Sequence, residues 1–151
     1  MAWFEGTHSE SRQLDVDPTT AREHFADLDT IVAATKGVAS AEIDGRTIHF
    51  VLEEEDHGVV KFQGDFHCTY TLEGDTLRWA TREGNLQQSG EARFTPAGDG
   101  VTLDYTETVK VELGVPAMMA PMLKPVLAAV LAKEVKEYLG RMVTRLEQAP
   151  T

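Results

Sequence analysis

The chain has 151 residues, 42% of them hydrophobic and 26% charged, the balance of a folded protein rather than a disordered one. Its formal net charge of −11 repels phosphate backbones and anionic headgroups, so nucleic-acid binding is excluded as a function class. Cys68 is the single cysteine, which rules out a disulfide framework and suits a reducing cytoplasm.

The opening MAWFEGTHSESR has neither the basic start nor the apolar run of a secretory signal, so a cytoplasmic protein is expected. With no linker or repeat, residues 1–151 read as one domain. The N-terminal arm, ending in RQLDVD, is the first strand candidate. Asp17 can then cap a helix that has Pro18 at its first position, and Phe25, Leu28, Ile31 and Val32 form an apolar stripe. This helical region is expected to break into two short pieces before Lys36-Gly37.

From Val38 to Leu113 the pattern is that of strands. Asp44-Gly45 signals a hairpin, and TIHFVL places Ile48, Phe50 and Leu52 on one face. VVKFQGDFHCTYTL puts Val60, Phe62, Gly64, Phe66, Cys68, Tyr70 and Leu72 on one side and polar residues on the other, the period of a sheet with one buried face. Gly58 and Gly64 look structural, allowing a bend. TLRWAT shares Leu77 and Trp79, LQQSGEARF follows Glu83-Gly84, and VTLDYTETVKVEL is the last strand before a long helix.

That helix has two regimes. From Glu134 onward it is amphipathic, with Val135, Tyr138, Leu139, Met142 and Leu146 as the buried stripe. Earlier, Met118, Met119, Met122, Leu123, Val126, Leu127, Val130 and Leu131 are apolar nearly all round, with Lys124 the only charge between Val115 and Ala132. Pro116, Pro121 and Pro125 interrupt the run, which argues against a membrane span of about 20 apolar residues and for a loosely held or kinked segment. Methionines suit a surface that repacks, so this segment is expected to be a lid that gates a cavity or docks transiently on a membrane or partner. A homodimer face and burial beneath the N-terminal arm are the alternatives.

Successive strands joined by short turns make an antiparallel meander. The expectation is an α+β protein: a curved seven-stranded antiparallel sheet, two short helices, and a C-terminal helix of roughly 40 Å laid across one face, with space left between them. This order, with DPTTAREHFADLDTIVAATKGV, GVVKFQGDF and GVPAMMAPMLKPVLAAVLAKEVKEYLGRM, resembles the START / polyketide cyclase-like superfamily, whose helix-grip fold is also that of the birch-pollen allergen group. The likeness is nearest to two of its branches, the G subunit of carbon monoxide dehydrogenase and the polyketide cyclase/dehydrase proteins. Pro18, Phe25 and Asp27 match its proline, bulky aromatic and aspartate, while Lys36-Gly37 stands where proline-glycine is usual. The resemblance implies a central cavity for lipids, sterols, polyketides or other apolar molecules, and no universal catalytic set.

Glu107 is the most pointed residue. Val101, Leu103, Tyr105, Val109, Val111 and Leu113 share its face of the last strand, so register places a carboxyl on the covered side. There it can face water or a ligand amine or hydroxyl, or serve as an acid–base group. A bulge turning it outward, or a pairing with Arg12 or Arg82, would instead make it structural. Phe50, Phe62, Phe66, Tyr70, Trp79 and Tyr105 form an aromatic set that is either core packing or the lining of a hollow. With Met119, Leu123 and Leu127 from the helix and Glu107 itself, these are the candidate ligand-binding residues.

His8, His24, His49, His57 and His67 lack metal-ligand spacing, and no phosphate loop, dinucleotide fingerprint or serine elbow appears, so neither metal nor cofactor is expected. His49 and His67 are read as solvated and Cys68 as buried and inert. Three functions stand open: a carrier of an apolar small molecule, a cyclase- or dehydratase-like enzyme using Glu107, and an accessory protein docking through its Met-rich helix.

Overall fold

A computed structural model describes residues 1–56 and 60–148. Strand β1 (Ala2–Leu14) is followed by α1 (Pro18–Ala26) and α2 (Leu28–Ala34). Then come β2 (Val38–Asp44), β3 (Thr47–Leu52), β4 (Glu55–Asp56), β5 (Lys61–Phe62), β6 (Asp65–Glu73), β7 (Thr76–Gly84), β8 (Leu86–Ala97), β9 (Gly100–Leu113) and α3 (Ala120–Gln148). Seven strands form one curved antiparallel sheet in the order β1-β9-β8-β7-β6-β3-β2, and β4 and β5 pair separately. The expected α+β arrangement is therefore found.

The two short helices are separate because each has its own cap. Asp17 Oδ2 accepts from Thr20 N–H at 3.1 Å, and Asp27 Oδ2 accepts from Thr30 N–H at 3.0 Å. Because Asp27 is extended, at φ −74° and ψ 115°, it ends α1 and starts α2. The hairpin after Asp44 turns on Gly45, at φ +61°, a conformation that favours glycine.

The run VVKFQGDFHCTYTL is not one strand. It breaks at Gln63-Gly64, where Leu52 N–H donates to Gly64 O at 2.8 Å and the Asn85 side chain replaces the ladder. Asn85 Oδ1 accepts from Asp65 N–H at 2.9 Å, and Asn85 Nδ2 donates to Gln63 O at 2.7 Å. Leu72, expected inside, is exposed at the far end of β6. Gly58 and His57 lie outside the described residues.

Helix α3 packs closely on β1. A side chain at Gly6 would run into the Ala128 carbonyl and lie 2.8 Å from Leu131 Cβ, so only glycine admits the helix at this distance. Beyond that point Leu131, Val135, Leu139, Met142, Val143 and Leu146 are buried against the core, which includes Phe4, Ile31, Phe50, Phe66 and Phe94. Before it the packing thins. Between residues 116 and 130 only Ala120 is buried. Pro121 sits in the first helical turn, where a missing N–H leaves no broken bond, whereas Pro125 lies inside the helix and removes one.

Candidate ligand-binding site

Strand β9 pairs without a bulge to β1 on one side and β8 on the other, so the alternation carries Glu107 to the covered face. It is 5% exposed. Its partner on β8 is Gly90, whose own partner on β7 is Trp79. A side chain at Gly90 would strike the Thr106 carbonyl and lie 2.7 Å from Trp79 Cζ2. The missing side chain lets the indole lie over β8 and reach across it. Trp79 Nε1 donates to Glu107 Oε2 at 2.8 Å, and Tyr105 OH donates to Glu107 Oε1 at 3.0 Å.

Among the described residues the carboxyl thus has two neutral donors and no cationic partner. Desolvation lifts its pKa to about 7, partly opposed by those two hydrogen bonds. An aromatic shell surrounds it. The Trp79 ring lies 5.4 Å from that of Tyr105 and 6.2 Å from that of Tyr70, and Gln88 Nε2 donates to Tyr70 OH at 3.0 Å. Burial raises the phenols of Tyr70, Tyr105 and Tyr138 well above their ordinary value, and the Glu107 charge adds to each. Tyr138, on α3, is thereby tied electrostatically to the carboxyl.

Arg12 does not pair with Glu107. It shares the covered face of β1 with His8 and Glu10, where Arg12 Nε donates to Glu10 Oε2 at 3.0 Å and His8 Nε2 lies 2.8 Å from Glu10 Oε1. His8 stands directly opposite Glu107 across the β1–β9 ladder. This polar strip is legible only once β1 is known to begin at Ala2, because its inward positions mix Phe4 and Leu14 with charged residues. Gly90 likewise carried a signal, a glycine in mid-strand, that points to a close approach.

The remaining candidates separate into two groups. Phe50, Phe66, Tyr70, Trp79 and Tyr105 are all buried, with Phe50 and Phe66 stacked at 5.1 Å. At 0–6% exposure these five rings form part of the core. Phe62, Leu123 and Leu127 are partly buried at the margin of the core, and Met119 is largely exposed rather than turned inward. Two hollows elsewhere are open surface dishes: about 420 Å³ beside Ser9, Glu91 and Asp104, and about 350 Å³ beside His24, Asp29 and Arg145.

Cys68 is buried and its thiol is pushed up to about 11, chiefly by desolvation, which keeps it un-ionised. His49 and His67 stack at 4.0 Å on the outer face, and His49 Nε2 lies 2.7 Å from Asp65 Oδ1. Among the described residues no cluster has the makings of a metal site, and no helix is long and apolar enough to cross a membrane.

A long C-terminal helix held by a seven-stranded antiparallel sheet, with two short helices between the first two strands, defines a START / polyketide cyclase-like helix-grip protein. The family model for polyketide cyclase / dehydrase and lipid transport matches residues 6–147, and the chain belongs to that family. No curated protein matches the sequence. Solved structures share the fold. A Thermus thermophilus protein is 19% identical with a TM-score of 0.70, covering 96% of this chain and 99% of its own. A START superfamily protein from Mycobacterium smegmatis is 15% identical with a TM-score of 0.69, covering 94% and 97%. The Zhui aromatase/cyclase from Streptomyces sp. R1128 is 12% identical with a TM-score of 0.68, covering 95% and 94%.

Proposed function

We propose that this protein binds an apolar small molecule between the sheet and the first half of α3, anchors its polar group on Glu107, and carries it rather than transforms it. The observation that carries this reading is a buried carboxyl in a shell of aromatic rings, satisfied by neutral donors and not by a cation. A carboxyl so held accepts a hydroxyl or amine when ionised and donates to a carbonyl when protonated. Membership of a family described by polyketide cyclisation and lipid transport supports an apolar ligand. Admission requires the weakly packed segment 116–127, with Leu123 and Leu127 at its inner margin, to move off the core and open the space that the rings now close.

The test uses Trp79 as reporter. Of the two tryptophans, Trp3 is 41% exposed, so Trp3→Phe leaves the buried indole as the only tryptophan emitter. Titration with long-chain alcohols, sterols and aromatic polyketide-like phenols is expected to shift its emission, with at least tenfold weaker binding in Glu107→Gln. Native mass spectrometry of the purified chain is expected to show a retained apolar molecule. No spectral response to any probe, together with a bare mass, overturns the reading.

A second reading rests on the same carboxyl. A group poised near pH 7 is matched to proton transfer, as in a cyclase- or dehydratase-like step. Turnover abolished in Glu107→Gln while binding persists would favour it over the carrier.

A further inference from the structure

The first half of α3 presents an apolar surface that the fold itself does not cover. Met118 in the turn before the helix, then Met122, Val126 and Val130, recur every fourth residue along one side and are 88%, 78%, 59% and 48% exposed. Met119, also exposed, flanks them. From Gly114 to Ala132 there is no acidic residue, and Lys124 is the only charge, in a chain of net charge −11. At the near end lies one more exposed apolar side chain, Met1, whose sulfur is beside Gly114.

We propose that this stripe docks on the surface of a lipid bilayer. Its exposed apolar area is roughly 500–600 Å², at the upper end of what monomers display. That is no smaller than the apolar share of a stable protein interface, so charge and not area separates a bilayer from a second copy. Twofold pairing along the stripe would set Lys124 near its own copy and bring together two bodies of net charge −11. A bilayer makes neither demand. Methionine and valine side chains enter the acyl boundary while the helix axis lies in the plane and Lys124 extends toward the phosphates. The acidic remainder of the molecule keeps the opposite side in water. The surface stands independently of what the interior binds.

Flotation of the full chain with phosphatidylcholine vesicles tests this, alongside vesicles containing phosphatidylglycerol. The expected result is partition onto phosphatidylcholine that phosphatidylglycerol does not strengthen. Met122→Glu and Val126→Glu are each expected to weaken it at least tenfold with an unchanged melting temperature, since both side chains are already in water. Absence of partition, or partition unaffected by the substitutions, overturns the proposal. So does a dimer at micromolar concentration that the same substitutions dissociate. The Trp79 titration in these variants separates the two ideas: ligand response retained without vesicle binding removes the docking surface alone.

Discussion

The indole of Trp79 crosses Gly90 to donate to Glu107, so a tryptophan on β7 and a carboxyl on β9 meet over a strand with no side chain between them. The arrangement stabilises both protonation states of the carboxyl but favours the neutral one, because burial outweighs two neutral hydrogen bonds.

Stability should therefore fall with rising pH. A folded-state pKa of about 7 against an ordinary 4.5 means that the native state binds the proton more tightly. Stability declines between those two values and levels above the upper one, by about 3 kcal/mol in total. Glu107→Gln removes that slope. Its melting temperature is expected to match the parent near pH 4.5 and exceed it at pH 8.

Tyr105→Phe deletes one of the two donors with little change in volume. The carboxyl midpoint, followed by carboxyl carbon-13 NMR, is expected to move above 7. The cost in stability should be about 1–3 kcal/mol at pH 8 and smaller at pH 5, because the lost bond is stronger to an ionised acceptor.

Gly6→Ala forces a methyl group against the Ala128 carbonyl and Leu131. Overpacking of this kind costs about 1–3 kcal/mol. Denaturant melts should register that loss, and amide exchange at 128–132 should quicken as α3 lifts from β1.

Exchange along α3 should be uneven in the unliganded chain. Amides across 116–126 are expected to exchange faster than those across 134–144, where Val135, Leu139, Met142 and Val143 are buried. Equal protection would exclude the loose segment that admission of a ligand requires.

Much of this was legible in the residues. The two-residue alternation of β9 carried Glu107 to the covered side, and Asp17-Pro18 marked the start of α1. Asp27 was harder to read as a boundary, because its extended backbone and its side chain's bond to Thr30 N–H show only in the fold that one helix has become two. The break at Gly64 was hidden by a clean alternation that continues through it; Asn85, 21 residues on, supplies the bonds that permit the break. Apolar residues all round a helix identified the unusual half of α3 but not which side faces solvent. That depends on the docking of Gly6 against Ala128, a contact between opposite ends of the chain.

That joining of the ends governs how the molecule is made. Ala2 pairs with Leu113 and Leu14 with Val101, so β1 leaves the ribosome well before β9, the strand it pairs with. Closing so long a loop is the slow kind of step in folding, and the nascent N-terminal strand waits through it with both flanks bare. Its alternation of Glu5, Thr7, Ser9, Ser11 and Gln13 on the outer side keeps that waiting strand soluble.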